Sequence, residues 1–223
     1  MKFPDRFLRY FLIATSMLLL GIVVVTVQTA VMNPDPEPLT ATELRARADY
    51  HRLTVMPFMS GVYPRLLFLN AGVALVVLVV PLFWVWVWWF HRDRAGTMIT
   101  FMQGTVCLLM LALGHNSFTK IYGTYKLLPG QIVAAIYLPH GVPEMLAFIL
   151  AGTFALLTIR ALRDYLQKNG DSPALHIGDI CLFILGRVWK IGLVLFVLMA
   201  GAAAIECWVT PKLVETAFGT ALP

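Results

Sequence analysis

His140 and Glu144 stand four residues apart in Leu138-Pro139-His140-Gly141-Val142-Pro143-Glu144, and a second acid, Glu206, lies in Ala204-Ile205-Glu206-Cys207-Trp208. Both strings border strongly apolar stretches, where an ionisable side chain is costly without a partner, so function is sought here first. At i, i+4 on one helical face, His140 and Glu144 have the spacing to ligate a divalent metal. Glu206 or His115 would supply a third ligand and water the fourth, an arrangement suited to hydrolysis. The same histidine and carboxylates could instead pass a proton, in a transporter or in acid–base catalysis. A third reading is a buried His–Glu–Asn hydrogen-bond network that pins helices together, since polar groups in lipid must satisfy one another. The HExxH form is absent, and no serine stands at a spacing from a histidine and an acid that suggests a nucleophile pair.

The elements that must position these residues are membrane helices. The chain has 223 residues, 59% of them hydrophobic and only 13% charged, and its mean hydropathy is +0.78. That is too apolar for a soluble domain to cover its surface. A crossing needs about 20 mainly apolar residues, and five stretches qualify, at 8–32, 63–90, 97–118, 144–162 and 188–209. The expected fold is a single all-α domain, a polytopic membrane bundle of five transmembrane helices with a broken or re-entrant segment before the fourth. The first stretch follows Lys2, Arg6 and Arg9, is long for a signal peptide and lacks a small-x-small cleavage site, so it reads as a retained anchor. Basic residues at the N-terminus, in His91-Arg92-Asp93-Arg94 and at Arg160, Arg163 and Lys168 fall on one side. The positive-inside rule places that side, with the N-terminus, in the cytoplasm and the C-terminus outside, in a multi-pass protein of the cytoplasmic membrane.

The stretch from Gln131 to Leu162 would run to roughly 50 Å as one helix, against a hydrocarbon core of about 30 Å. Pro139 and Pro143, with Gly141 between them, therefore predict a helix break that lines a cavity, with 131–138 as a separate short segment. In the alternating topology His140, Glu144 and Glu206 lie at matching depth near the outer ends of the fourth and fifth crossings. Asn70, His115 and Asn116 reach the same layer, giving a six-residue polar cluster. Ala200-Gly201-Ala202-Ala203-Ala204 lets the fifth helix approach its neighbour closely.

Between the first two crossings, 33–62 forms an external loop. Its prolines at 34, 36 and 38 predict an extended exit, and Thr40-Ala41-Thr42-Glu43 is a capping-box signal for a polar helix over 44–53. Trp84, Trp86, Trp88 and Trp89 read as headgroup anchors. The segment 173–187 reads as a helix along the cytoplasmic surface, with His176 solvated. Cys107, Cys181 and Cys207 read as small buried hydrophobes rather than a disulfide or metal set. The net charge of +5 comes from flanking clusters, which fits membrane lipid and not nucleic acid. No phosphate-binding glycine loop is present, so any ATP would be bound by another chain.

The string Leu138-Pro139-His140-Gly141-Val142-Pro143-Glu144, followed by Leu150-Ala151-Gly152, resembles the signature of the stage II sporulation protein M family: a proline-histidine-glycine triplet, an acid three residues past the glycine and a small-residue helix. Ile205-Glu206-Cys207-Trp208-Val209-Thr210-Pro211 is similar to its closing acid-x-x-Val-Thr-Pro element, and Phe68-Leu69-Asn70 to its asparagine near the start of a crossing. Gln103-Gly104 stands where the family tends to have Asn-Gly, and Pro143 and the segment before Tyr63 have no counterpart. The resemblance implies a bundle of about five helices. The family's namesake is a membrane component of an assembly with two peptidoglycan-degrading partners, while relatives occur in organisms that never sporulate, some beside ATPases. The function expected is an integral membrane subunit that organises envelope-acting partners, membrane or periplasmic proteins, through the polar cluster. The alternatives are a permease-like subunit with a separate ATPase, and an intramembrane metal-dependent hydrolase.

Overall fold

The computed structural model describes residues 3–32, 39–89, 95–125, 128–169 and 175–221, and among these every regular element is helical. In chain order they are α1 (Phe3–Met32), α2 (Ala41–Tyr50), α3 (Met56–Met59), α4 (Tyr63–Trp89), α5 (Ala95–Tyr125), α6 (Gly130–Asn169), α7 (Ile177–Ala204) and α8 (Thr210–Ala221). A π turn, His51–Val55, joins α2 to α3, a 3-10 turn, Ser60–Val62, joins α3 to α4, and a second π turn, Ile205–Val209, joins α7 to α8. Five helices are long and apolar enough to cross a membrane, as expected. The expected extended exit at 33–38 and the basic string His91-Arg92-Asp93-Arg94 lie outside the described residues.

α6 is the mast of the bundle. It packs against α1, α4, α5, α7 and α8, and 56% of its apolar window is buried, against a third or less for the other spans. This central position accounts for the main departure from the sequence reading. The break expected at Pro139, Gly141 and Pro143 is absent: α6 is helical from Gly130 to Asn169, with both prolines inside it. Each proline removes one backbone donor, but a helix packed on so many neighbours is held in shape from outside. The segment 131–138 is thus the first part of α6 and not a separate or re-entrant piece. The expected surface helix over 173–187 is corrected in the same way, because from Ile177 onward it is the start of α7.

Close approach of α1, α5 and α6 depends on three glycines. A methyl on Gly21 would run into the Leu111 carbonyl, and one on Gly114 into the Leu18 carbonyl; at Gly152 it would lie 2.7 Å from Met110 Sδ and 3.4 Å from Ala14 Cβ. In lipid, helices associate by packing and not by the hydrophobic effect, so small residues where backbones meet are what permit this seam. In the alanine-rich stretch of α7, Ala202 and Ala203 are fully buried as expected, while Gly201 faces outward.

A smaller apolar cluster caps one end. Leu44 of α2, Ile132 of α6, and Val214 and Phe218 of α8 form its buried centre. α2 begins where the capping signal predicts: the Glu43 N–H donates to Thr40 Oγ1 at 3.3 Å, and the Thr40 N–H donates to Glu43 Oε2 at 2.8 Å. The same contacts hold the Glu43 carboxyl below its ordinary value of 4.5, the backbone hydrogen bond contributing most and the Thr40 side chain next.

Candidate functional site

Both π turns end at an X–Pro step. The Met56 N–H donates to the His51 carbonyl just before Pro57, and the Thr210 N–H donates to the Ile205 carbonyl just before Pro211. A proline ring crowds the carbonyl four residues earlier and offers no N–H, and one extra residue in the turn eases that crowding. The two turns are tied together: His51 Nε2 donates to the Pro211 carbonyl at 3.0 Å, and the His51 ring lies 6.1 Å from that of Phe218. Tyr63, first residue of α4, stacks on Trp208 of the second π turn at 4.9 Å.

The ionisable residues singled out by spacing sit against this joint. His140, only 8% exposed, places Nδ1 3.3 Å from Oγ1 of Thr210, itself 7% exposed. One turn further along α6, Glu144 accepts a hydrogen bond from Nδ2 of Asn70 on α4. Asn70 and Glu144 thus clamp α4 to α6, while His140 and Thr210 clamp α6 to α8. Tyr137 stands beside His140, its ring 6.5 Å away. Glu206 is half-buried in the π turn, four residues before Thr210, and is engaged by other groups. Of the residues singled out, Asn70 and Glu144 pair directly, His140 lies one turn earlier on α6 and meets Thr210, and Glu206 lies on the π turn that precedes Thr210.

Two members of the expected cluster belong elsewhere. His115 bonds across the α1–α5 seam, its Nε2 3.3 Å from Gln28 Oε1, and Asn116 is exposed. Among the described residues no three His, Cys, Asp or Glu side chains converge so as to hold a metal ion. The expected metal set of His140, Glu144 and Glu206 is not among such groups; His140 meets a threonine hydroxyl, and an asparagine amide is one partner of Glu144. Cys207 is buried, while Cys107 and Cys181 are half-buried, and all three are free thiols. Trp84, expected to be a headgroup anchor, donates its indole N–H to Thr105 Oγ1 at 3.2 Å.

Sequence reasoning missed Thr210, His51 and Gln28 as partners. Thr210 carried a signal, a hydroxyl directly before a proline in an apolar stretch. His51 and Gln28 carried none beyond being polar near helix ends. The arrangement can lock three elements through side-chain pairs, and it can bias their packing if the protonation of an imidazole or a carboxyl changes.

No family model matches the chain, and no curated protein or solved structure is significantly similar to it.

Proposed function

We propose that this chain is a non-enzymatic membrane subunit that organises envelope-acting partner proteins, with the joint around His140, Glu144 and Thr210 fixing the shape of its partner-facing end. One observation carries the reading. On the segment linking α2 to α4, before the apolar span that begins at Tyr63, Tyr50, Leu53 and Phe58 are 61%, 71% and 67% exposed. Large apolar side chains displayed together outside a span mark a docking surface. His51, within the same segment, anchors it to Pro211.

The resemblance to the stage II sporulation protein M family supports the same view, because the two strings that carry it meet where His140 of the first contacts Thr210 of the second. In this reading the basic flanks place the N-terminus in the cytoplasm and the α2–α3 segment outside the cytoplasmic membrane. The test is photo-crosslinking from Leu53 and Phe58 in native membranes, with co-purification in mild detergent. Discrete adducts to envelope proteins are expected, and a lone uncrosslinked monomer would overturn the proposal.

A transport reading, a permease-like subunit working with a separate ATPase, is favoured by the polar pairs Asn70–Glu144 and His140–Thr210 within the apolar spans. It requires a water path, so a cysteine at position 70 or 206 must react with polar thiol reagents; failure at both removes it. The hydrolase reading has no comparable support, since no metal-holding group forms among the described residues.

A further inference from the structure

At the end of the bundle where α1 begins, a cavity of about 570 Å³ opens between α1, α6 and α7. Its charged rim is built from Arg6, Arg160, Lys168 and Arg187, with Asp164 as the acid among them. Asp164 lies 3.5 Å from Arg160, one turn away on the same helix. The rim thus keeps a clear positive excess. A second cavity of about 150 Å³, bounded by Arg6, Arg9, Tyr10 and Arg160, shares two of these arginines and extends the basic surface along α1.

The walls are of the opposite character. Phe154, Leu157 and Phe183 line the same cavity. Tyr165 stacks on Phe183 at 4.4 Å, and the Arg187 guanidinium also rests on the Phe183 ring, 3.8 Å from its centroid. Stacking holds that guanidinium in place while leaving its N–H groups able to bind an anion. The cavity also lies at the ends of three apolar spans, which begin at Asp5 and Ile177 and end at Asn169. A basic rim over an aromatic and aliphatic wall, at the end of membrane helices, matches a phosphodiester attached to acyl chains. A free anion would use the rim and leave the apolar wall without a role.

We propose that this cavity is a binding site for an anionic phospholipid, its phosphate held by Arg160 and Arg187 with help from Arg6 and Lys168, and its glycerol and upper acyl chains lying against Phe154 and Leu157. The site is separate from the His140 joint and does not depend on the proposed organising role.

The test is a native mass spectrometry titration of the purified full chain in non-ionic detergent with phosphatidylglycerol, phosphatidylcholine and inorganic phosphate. Preferential retention of phosphatidylglycerol over phosphatidylcholine is expected, undisturbed by millimolar phosphate. The double substitution Arg160→Gln/Arg187→Gln should lower phosphatidylglycerol affinity roughly 30-fold and leave phosphatidylcholine unchanged, on the scale of two basic contacts to an anionic headgroup. Arg6→Gln/Lys168→Gln, on different helix ends, should reproduce the loss in direction and guards against misfolding of the first variant. Arg163→Gln, exposed on α6 but outside the cavity lining, should change nothing. Equal retention of the two lipids, an equal loss in Arg163→Gln, wild-type affinity in both double variants, or displacement of the lipid by phosphate would each overturn the assignment.

Discussion

Two seams of this molecule solve the same problem in different ways. Where α1 meets α5 and α6, contact is made by removing atoms: Gly21 and Gly114 bring main chains together, Gly152 leaves room for the Met110 side chain, and Val106 and Met110 are completely buried. Where α4, α6 and α8 meet, contact is made by pairing atoms, Asn70 with Glu144 and His140 with Thr210. The first seam is therefore expected to be sensitive to added volume where backbone faces backbone, at Gly21 and Gly114. The second is expected to be sensitive to the loss of a partner. Lipid is as apolar as a leucine side chain, so helices within it are held by fit or by polar pairing: the first seam rests on close backbone approach with one polar pair, His115 and Gln28, beside it, and the second on polar pairs.

The sharpest way to break that contrast is Gly114→Leu. The nearest obstacle is the Leu18 backbone carbonyl, which cannot move aside as a side chain can, so a loss of about 3 kcal/mol is expected in reversible unfolding in detergent. Gly104→Ala on the same helix, with open space around it, should leave stability unchanged or raise it by about 0.5 kcal/mol through helix propensity. A similar large loss at both glycines would show that the seam is not special.

Next in size is the α4–α6 clamp. Asn70→Leu should destabilise the protein by about 1 kcal/mol, and a double-mutant cycle with Glu144→Gln should give a coupling of about 0.6 kcal/mol or more, the range of such bonds within membranes. Additive effects would mean that the two residues do not act as a pair. Thr210→Val paired with His140→Phe should show a weaker coupling of about 0.5 kcal/mol, since the contact is longer and involves a hydroxyl.

The smallest effect concerns the cap that α2 contributes to the polar end. Because Glu43 titrates below its ordinary value of 4.5 when folded, its contribution to helix capping is complete above that value and is lost as the pH falls through the lowered folded pKa. Amide exchange in α2 should thus be flat between pH 7 and pH 5 after correction for intrinsic rates, and should accelerate only once the pH falls below the ordinary value of 4.5. Glu43→Gln should remove the pH dependence.

What was legible in the sequence was what depends on neighbours along the chain. The five apolar spans follow from residue composition within each window, and the start of α2 follows from Thr40 and Glu43, whose reciprocal bonds need only a three-residue spacing. Spacing also placed His140 and Glu144 on one face, and the costliness of buried polar groups made them worth pursuing. The rule that proline breaks a helix gave the wrong result at Pro139 and Pro143, yet an X–Pro step follows both π turns.

Local pattern, then, determined that the chain makes long apolar helices, where its polar helix starts, and that a few ionisable groups would require partners. Only the tertiary structure decided who those partners are: Asn70 for Glu144 across 74 positions, Thr210 for His140 across 70, and Gln28 rather than the cluster for His115. A side chain in an apolar interior must find a complementary group, but which one it finds is set by helix rotation and packing, and these depend on glycines and alanines far away in the chain. Partner identity is a property of the assembled bundle, so no window of sequence contains it.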